Sequence, residues 1–85
     1  MCYIYLLQSV HCQNLYIGAT SNLKKRFEEH NDGKSNYTKK YIPWKLIYYE
    51  SYCSRKDAYR REHSLKLHAQ GLRRLKERLR DTLSA

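Results

Sequence analysis

Two short aromatic and β-branched stretches open this chain, and the pairing they demand constrains the rest of the fold. Residues 2–8, Cys-Tyr-Ile-Tyr-Leu-Leu-Gln, are apolar without clean alternation, which predicts a central strand buried on both faces. Residues 15–19, Leu-Tyr-Ile-Gly-Ala, predict its partner. The segment between them, Ser9-Val10-His11-Cys12-Gln13-Asn14, is polar enough for a hairpin connection. A turn centred near Val10-His11 sets Tyr5 opposite Tyr16, with both rings on one face.

The remaining elements follow from periodicity and punctuation. Ser21 or Asn22 caps a helix running to about Asn31, and Asp32-Gly33 stops it. On that helix Leu23, Phe27 and His30 form one stripe with Arg26 at its edge. Arg26 and His30 are i, i+4 neighbours, so their heads reach a common point. Residues 33–43 read as a polar loop, in which Pro43 keeps Ile42 out of helix. Its lysines and Tyr37 suit contacts to nucleic acid, as they suit any solvated loop. Residues 44–52 predict a third strand, with Lys45, Ile47 and Tyr49 alternating with Leu46, Tyr48 and Glu50. Trp44 reads as a core residue. Ser54 caps a helix over 55–69, Gly71 interrupts it, and a last basic helix over 72–83 stripes Leu72, Leu75, Leu79 and Leu83. This order predicts a small α/β (α+β) sandwich, a three-stranded antiparallel sheet flanked by helices.

Eighty-five residues suit one domain with one modest core. The formal charge of +9 favours a polyanionic partner. It is uneven: residues 1–53 carry seven Lys/Arg against four Asp/Glu (+3), and residues 54–85 carry ten against four (+6). Cys2, Cys12 and Cys53 are widely spaced with no C-x-x-C, which argues against a zinc or redox motif and for reduced thiols in the cytoplasm. No apolar run approaches a membrane span, and the first residues lack the charged start of a secretory signal.

Glu62 is the residue that asks for chemistry. On the helix over 55–69 it shares an apolar stripe with Ala58, Leu65 and Ala69. A carboxylate there needs a hydrogen-bonded cation or a metal ion. Arg61 or Arg26 is the bland partner, and a divalent ion the functional one. Further spacing bears on the choice. Tyr16 follows Tyr5 by eleven positions, Arg26 follows Tyr16 by ten, and His30 follows Arg26 by four.

These intervals, with Tyr16-Ile17-Gly18 and Tyr3-Ile4-Tyr5, resemble the GIY-YIG nuclease family over roughly Cys2 to Leu67, in the form of a small stand-alone member. Tyr3 stands where the family's first signature has glycine. The resemblance implies the same sandwich and a metal-dependent endonuclease. Its catalytic residues would be Tyr5, Tyr16, Arg26, His30 and Glu62, with Glu62 holding one Mg²⁺ or Mn²⁺. Tyr16 would be the general base toward water, and Tyr5 would hydrogen-bond the water or the phosphate. Arg26 would stabilise transition-state charge. His30 would bind phosphate or orient the nucleophile, or serve only as a core histidine. The family's later asparagine has no counterpart in residues 70–85, and Ala19-Thr20 replace a lysine found in some relatives. The implied partner is nucleic acid, DNA ahead of RNA, recognised by structure, with a protein partner as a further source of specificity. The alternative is a catalytically weak nucleic-acid-binding module.

Overall fold

Strand β1 (Cys2–Ser9) lies at the centre of the sheet because it is apolar toward both faces; every side chain from Ile4 to Ser9 is buried. In this computed structural model, which describes residues 1–84, the sheet order is β2-β1-β3 with both pairings antiparallel. Strand β2 is Leu15–Thr20 and β3 is Trp44–Tyr52.

The hairpin register differs from the sequence expectation. Tyr5 pairs with Gly18, and Tyr16 pairs with Leu7. The connection closes later than a turn at Val10-His11 would, through Ser9 N–H to the Asn14 carbonyl at 2.9 Å, with Gln13 at φ 63°. Ser9 Oγ accepts the His11 and Cys12 amides at 3.3 and 3.5 Å and so stabilises the wider loop. The offset moves Tyr16 by two residues, an even number, so Tyr5 and Tyr16 keep one face but sit diagonally.

A second irregularity lies in β3. Its pairing with β1 shifts register between Leu6 and Leu7, which face Tyr48 and Leu46. Ile47 and Tyr48 therefore both pack on one face, while Leu46 and Tyr49 turn to the other. Strict alternation would have put Leu46 with Tyr48 and Glu50.

Helix α1 (Leu23–Asn31) covers the face that carries Tyr5 and Leu7. Of the two candidate caps Asn22 does the work, accepting the Lys25 amide at 3.1 Å, and Gly33 follows the helix at φ 79°. The loop beyond contains a 3₁₀ turn, Thr38–Tyr41, that was not expected. Helix α2 (Arg55–Leu67) crosses the opposite face, starting at Ser54, whose backbone has cap geometry without a side-chain bond.

The break after α2 is not at Gly71. His68 is extended (φ −110°, ψ 106°), α3 (Ala69–Arg78) runs through Gly71, and α4 (Arg80–Ser84) follows a second break at Leu79. The turn at His68 folds α3 back, so that Leu75 and Leu79 join Ala58 and Leu65 in one core with Ile4, Leu6 and Ile17. Burying each such side chain stabilises by about 1.5–3 kcal/mol, which outweighs the loss of helix continuity. Leu72 and Leu83 pack at its margin, as their stripe predicts. Among the described residues no helix is long and apolar enough to cross a membrane, and the three cysteines are unpaired.

Candidate active site

Tyr5 can lie flat across β2 because its neighbour there is glycine. A Cβ built on Gly18 would overlap the Tyr5 hydroxyl and come within 2.5 Å of Cζ. The Tyr5 ring is 1% exposed, and its hydroxyl lies 2.9 Å from His30 Nε2. His30 Nδ1 in turn lies 2.7 Å from Thr38 Oγ1, and the Trp44 indole N–H donates to the Thr38 carbonyl at 2.8 Å. His30 and Thr38 are fully buried. One face of the sheet thus carries a closed polar line, Tyr5 to His30 to Thr38, with its end tied to the strand start at Trp44.

The Arg26 guanidinium acts on this line from α1. Burial pushes the Tyr5 hydroxyl up to about 12; Arg26 pulls against that, while Tyr16 and Glu62 add to it. Burial opposes the Arg26 charge, but Glu29, then Tyr5 and Tyr16, more than offset it, so the guanidinium is held charged. Its ion pair is to Glu29 at 3.2 Å, and its side chain remains 34% exposed. Five N–H donors leave capacity for a phosphate beyond Glu29 and Tyr5. Burial and then Arg26 push His30 down to about 4, so its imidazole is neutral at pH 7.

Tyr16 is half-buried, with ring centroids 4.9 Å from His30, 6.3 Å from Tyr5 and 5.9 Å from Tyr37. It opens on a groove of about 320 Å³ shared with Tyr37, Leu65 and Lys66. The Lys66 ammonium stands 6.0 Å from the Tyr16 ring centre and donates to Glu62 Oε2 at 3.1 Å.

The five residues singled out by sequence therefore converge, though not in the roles first assigned to two of them. Tyr5 and His30 are enclosed, and both His30 nitrogens are engaged, so neither offers an open face to water or phosphate. Tyr16, Arg26 and Glu62 keep open faces. The bland partners for Glu62 are excluded: Arg61 clamps Glu50 at 3.0 Å, and Arg26 pairs with Glu29. Glu62, 23% exposed, pairs with Lys66 instead. Among the described residues no group of three or more His, Cys, Asp or Glu could hold a metal. With Lys66 on Oε2, the half-buried Glu62 carboxylate keeps Oε1 for a single bond to a Mg²⁺-type ion, which keeps most of its water and takes further oxygens from a phosphate.

Thr38 and Lys66 escaped the sequence reading. Thr38 gave no local signal, being a small polar residue in a polar loop. Lys66 was in principle visible as the i+4 neighbour of Glu62.

A family model described as the GIY-YIG catalytic domain matches residues 1–77. A UPF0213 protein of Clostridium perfringens is 39% identical over 67 residues, spanning 78% of this chain and 71% of that protein. Another from Staphylococcus haemolyticus is 38% identical over 81 residues, spanning 89% and 95%. The solution NMR structure of a UPF0213 protein from Bacillus halodurans superposes with a TM-score of 0.55 at 30% identity, covering 95% of this chain and 84% of that one.

Proposed function

Because this chain belongs to the GIY-YIG catalytic domain family, alongside the small UPF0213 proteins, we propose that it is an endonuclease using one Mg²⁺ or Mn²⁺ ion. It hydrolyses phosphodiester bonds, in DNA ahead of RNA, and selects by strand structure. The observation that carries this reading is the packing of Tyr16 against Tyr5 and His30, at ring centroids 6.3 and 4.9 Å, with Lys66 joining Glu62 to the Tyr16 ring and Arg26 one turn before His30 on α1. A basic surface of net +9 supports a nucleic-acid partner.

Arg26 grips the scissile phosphate with the donors that Glu29 and Tyr5 leave free, and stabilises charge as the phosphorus becomes five-coordinate. Tyr16, at the open edge of the cluster, takes the proton of the attacking water. Tyr5 keeps its own proton, since burial holds it up to about 12. Tyr5 Oη and Thr38 Oγ1 hold the two His30 ring nitrogens at 2.9 and 2.7 Å, and the Arg26 charge acts on the Tyr5 oxygen. Tyr5, His30 and Thr38 are thus positioning residues that aim Arg26. Glu62 would hold the divalent ion, which supplies positive charge to the phosphate when bound. One observation favours the alternative of a binding module: Lys66 already neutralises Glu62.

The test is cleavage of single-stranded, duplex, flap and branched DNA and of RNA, with Mg²⁺, Mn²⁺ or EDTA. Tyr16→Phe, Arg26→Ala and Glu62→Ala should each lower cleavage by roughly 10²–10⁴-fold without loss of folding. Glu62→Ala should still bind. Binding by wild type without cleavage of any substrate would transfer the conclusion to the binding module.

A further inference from the structure

A second cavity, about 530 Å³, opens on the α1 face of the sheet beside the cluster. Tyr3, Phe27, Leu46 and Tyr49 form its apolar walls, and Lys24 stands with Asn22 at the start of α1. Its size falls in the range of about 300–1,000 Å³ that holds small planar molecules. The cavity exists because of the register shift in β3, which brings Leu46 and Tyr49 to one face. Tyr3 and Tyr49 meet edge to face, with ring centroids 6.1 Å apart at 68°. Tyr49 is nevertheless 53% exposed, so much of its surface is uncovered. Lys24 is exposed and carries no ion pair among the described residues.

We propose that this cavity is a nucleobase subsite, which takes one unpaired base next to the phosphate held at Arg26. The inference rests on the nuclease reading and names the substrate class: a strand with an unpaired nucleotide beside the cut. Two observations choose this occupant. The cavity lies beside the cluster on the same two elements: its wall residue Tyr3 is two residues from Tyr5 on β1, and Phe27 follows Arg26 on α1. Its charge is complementary, because Lys24 at the rim offers a free ammonium to the phosphodiester that leads to the base. Aromatic walls accept any base face, so the site selects for an unstacked base and tolerates sequence. A base inside continuous duplex has both faces covered by its neighbours and cannot enter. Tyr3 stands where the family signature has glycine, so this aromatic wall is a departure from that signature.

The experiment measures binding of short single-stranded oligonucleotides in EDTA, each carrying one abasic position in turn, to wild type, Tyr49→Ala, Tyr49→Phe and Lys24→Ala. At one position, base removal should weaken wild-type binding about tenfold, the loss expected for a stack of roughly 1.4 kcal/mol. Tyr49→Ala should weaken the intact strand equally and show no further loss with the abasic strand. Tyr49→Phe should behave as wild type, and Lys24→Ala should reduce the salt dependence. Thermal melts check folding of each variant. If wild type binds but Tyr49→Ala binds equally well, or no abasic position matters, the subsite is overturned and the cavity is left to a protein partner. If wild type binds no single-stranded oligonucleotide at low salt, the subsite is overturned, while the nuclease reading is decided separately by cleavage of duplex, flap and branched DNA and of RNA.

Discussion

Replacing Gly18 by alanine tests the packing that the whole cluster depends on. The new Cβ would lie 2.5 Å from Tyr5 Cζ and 3.0 Å from Cε1, and closer still to the hydroxyl. Carbon contacts relax to about 3.5–4.0 Å, so the ring must retreat by about 1 Å. It cannot do so and keep the 2.9 Å bond to His30. Overpacking costs about 1–3 kcal/mol, and a buried imidazole nitrogen left without its partner costs about 1–3 kcal/mol more. The sum, roughly 2–6 kcal/mol, is a large part of the about 5–15 kcal/mol that stabilises a domain. Urea denaturation followed by Trp44 fluorescence reads it directly. The double variant Gly18→Ala, Tyr5→Phe removes the hydroxyl that suffers the worst overlap. Its destabilisation should fall short of the sum of the single variants by about 1 kcal/mol or more. Gly18→Ala within about 0.5 kcal/mol of wild type, a typical neutral surface change, or strict additivity in the cycle, would refute the wedge.

Three further expectations follow from particular contacts. His30 has a folded pKa lowered from 6.5 to about 4, so its contribution is complete above pH 6.5 and is lost as pH falls toward 4; stability should drop by up to about 3 kcal/mol across that window, and His30→Asn should flatten the profile. Thr38→Val keeps the side-chain shape but strips His30 Nδ1 of its partner; a loss of about 1–3 kcal/mol in urea denaturation is expected, and an unchanged midpoint would argue against the buried line. Glu50, 17% exposed at its side chain, accepts from Tyr48 and Tyr52 at 2.6 Å and from Arg61 at 3.0 Å; Glu50→Ala should destabilise by roughly 2–4 kcal/mol yet leave cleavage by the folded protein near wild type, the opposite of Glu62→Ala.

The local sequence determined the elements of this protein. Doubly apolar residues 2–8 made β1 central, Asn22 and Gly33 bounded α1, and the leucine stripe of residues 72–83 joined the core. These are local properties, because strand and helix periodicity and capping need only neighbours a few residues away. The intervals from Tyr5 to His30 and the stripe position of Glu62 also marked residues that lie near one another, with Tyr16 against Tyr5 and His30 and Lys66 joining Glu62 to the Tyr16 ring. What each of them can reach was decided by packing between distant segments. The hairpin offset and the β3 register shift set which residues oppose, which made Gly18 the seat for Tyr5 and put Tyr49 beside Leu46. Thr38 became the anchor of His30 only when the 33–43 loop folded under α1. The helix broke at His68 instead of Gly71 because burial of Leu75 and Leu79 outweighs the preference of any single residue. Register and enclosure are sums over contacts far apart in the chain, so no window of sequence contains them.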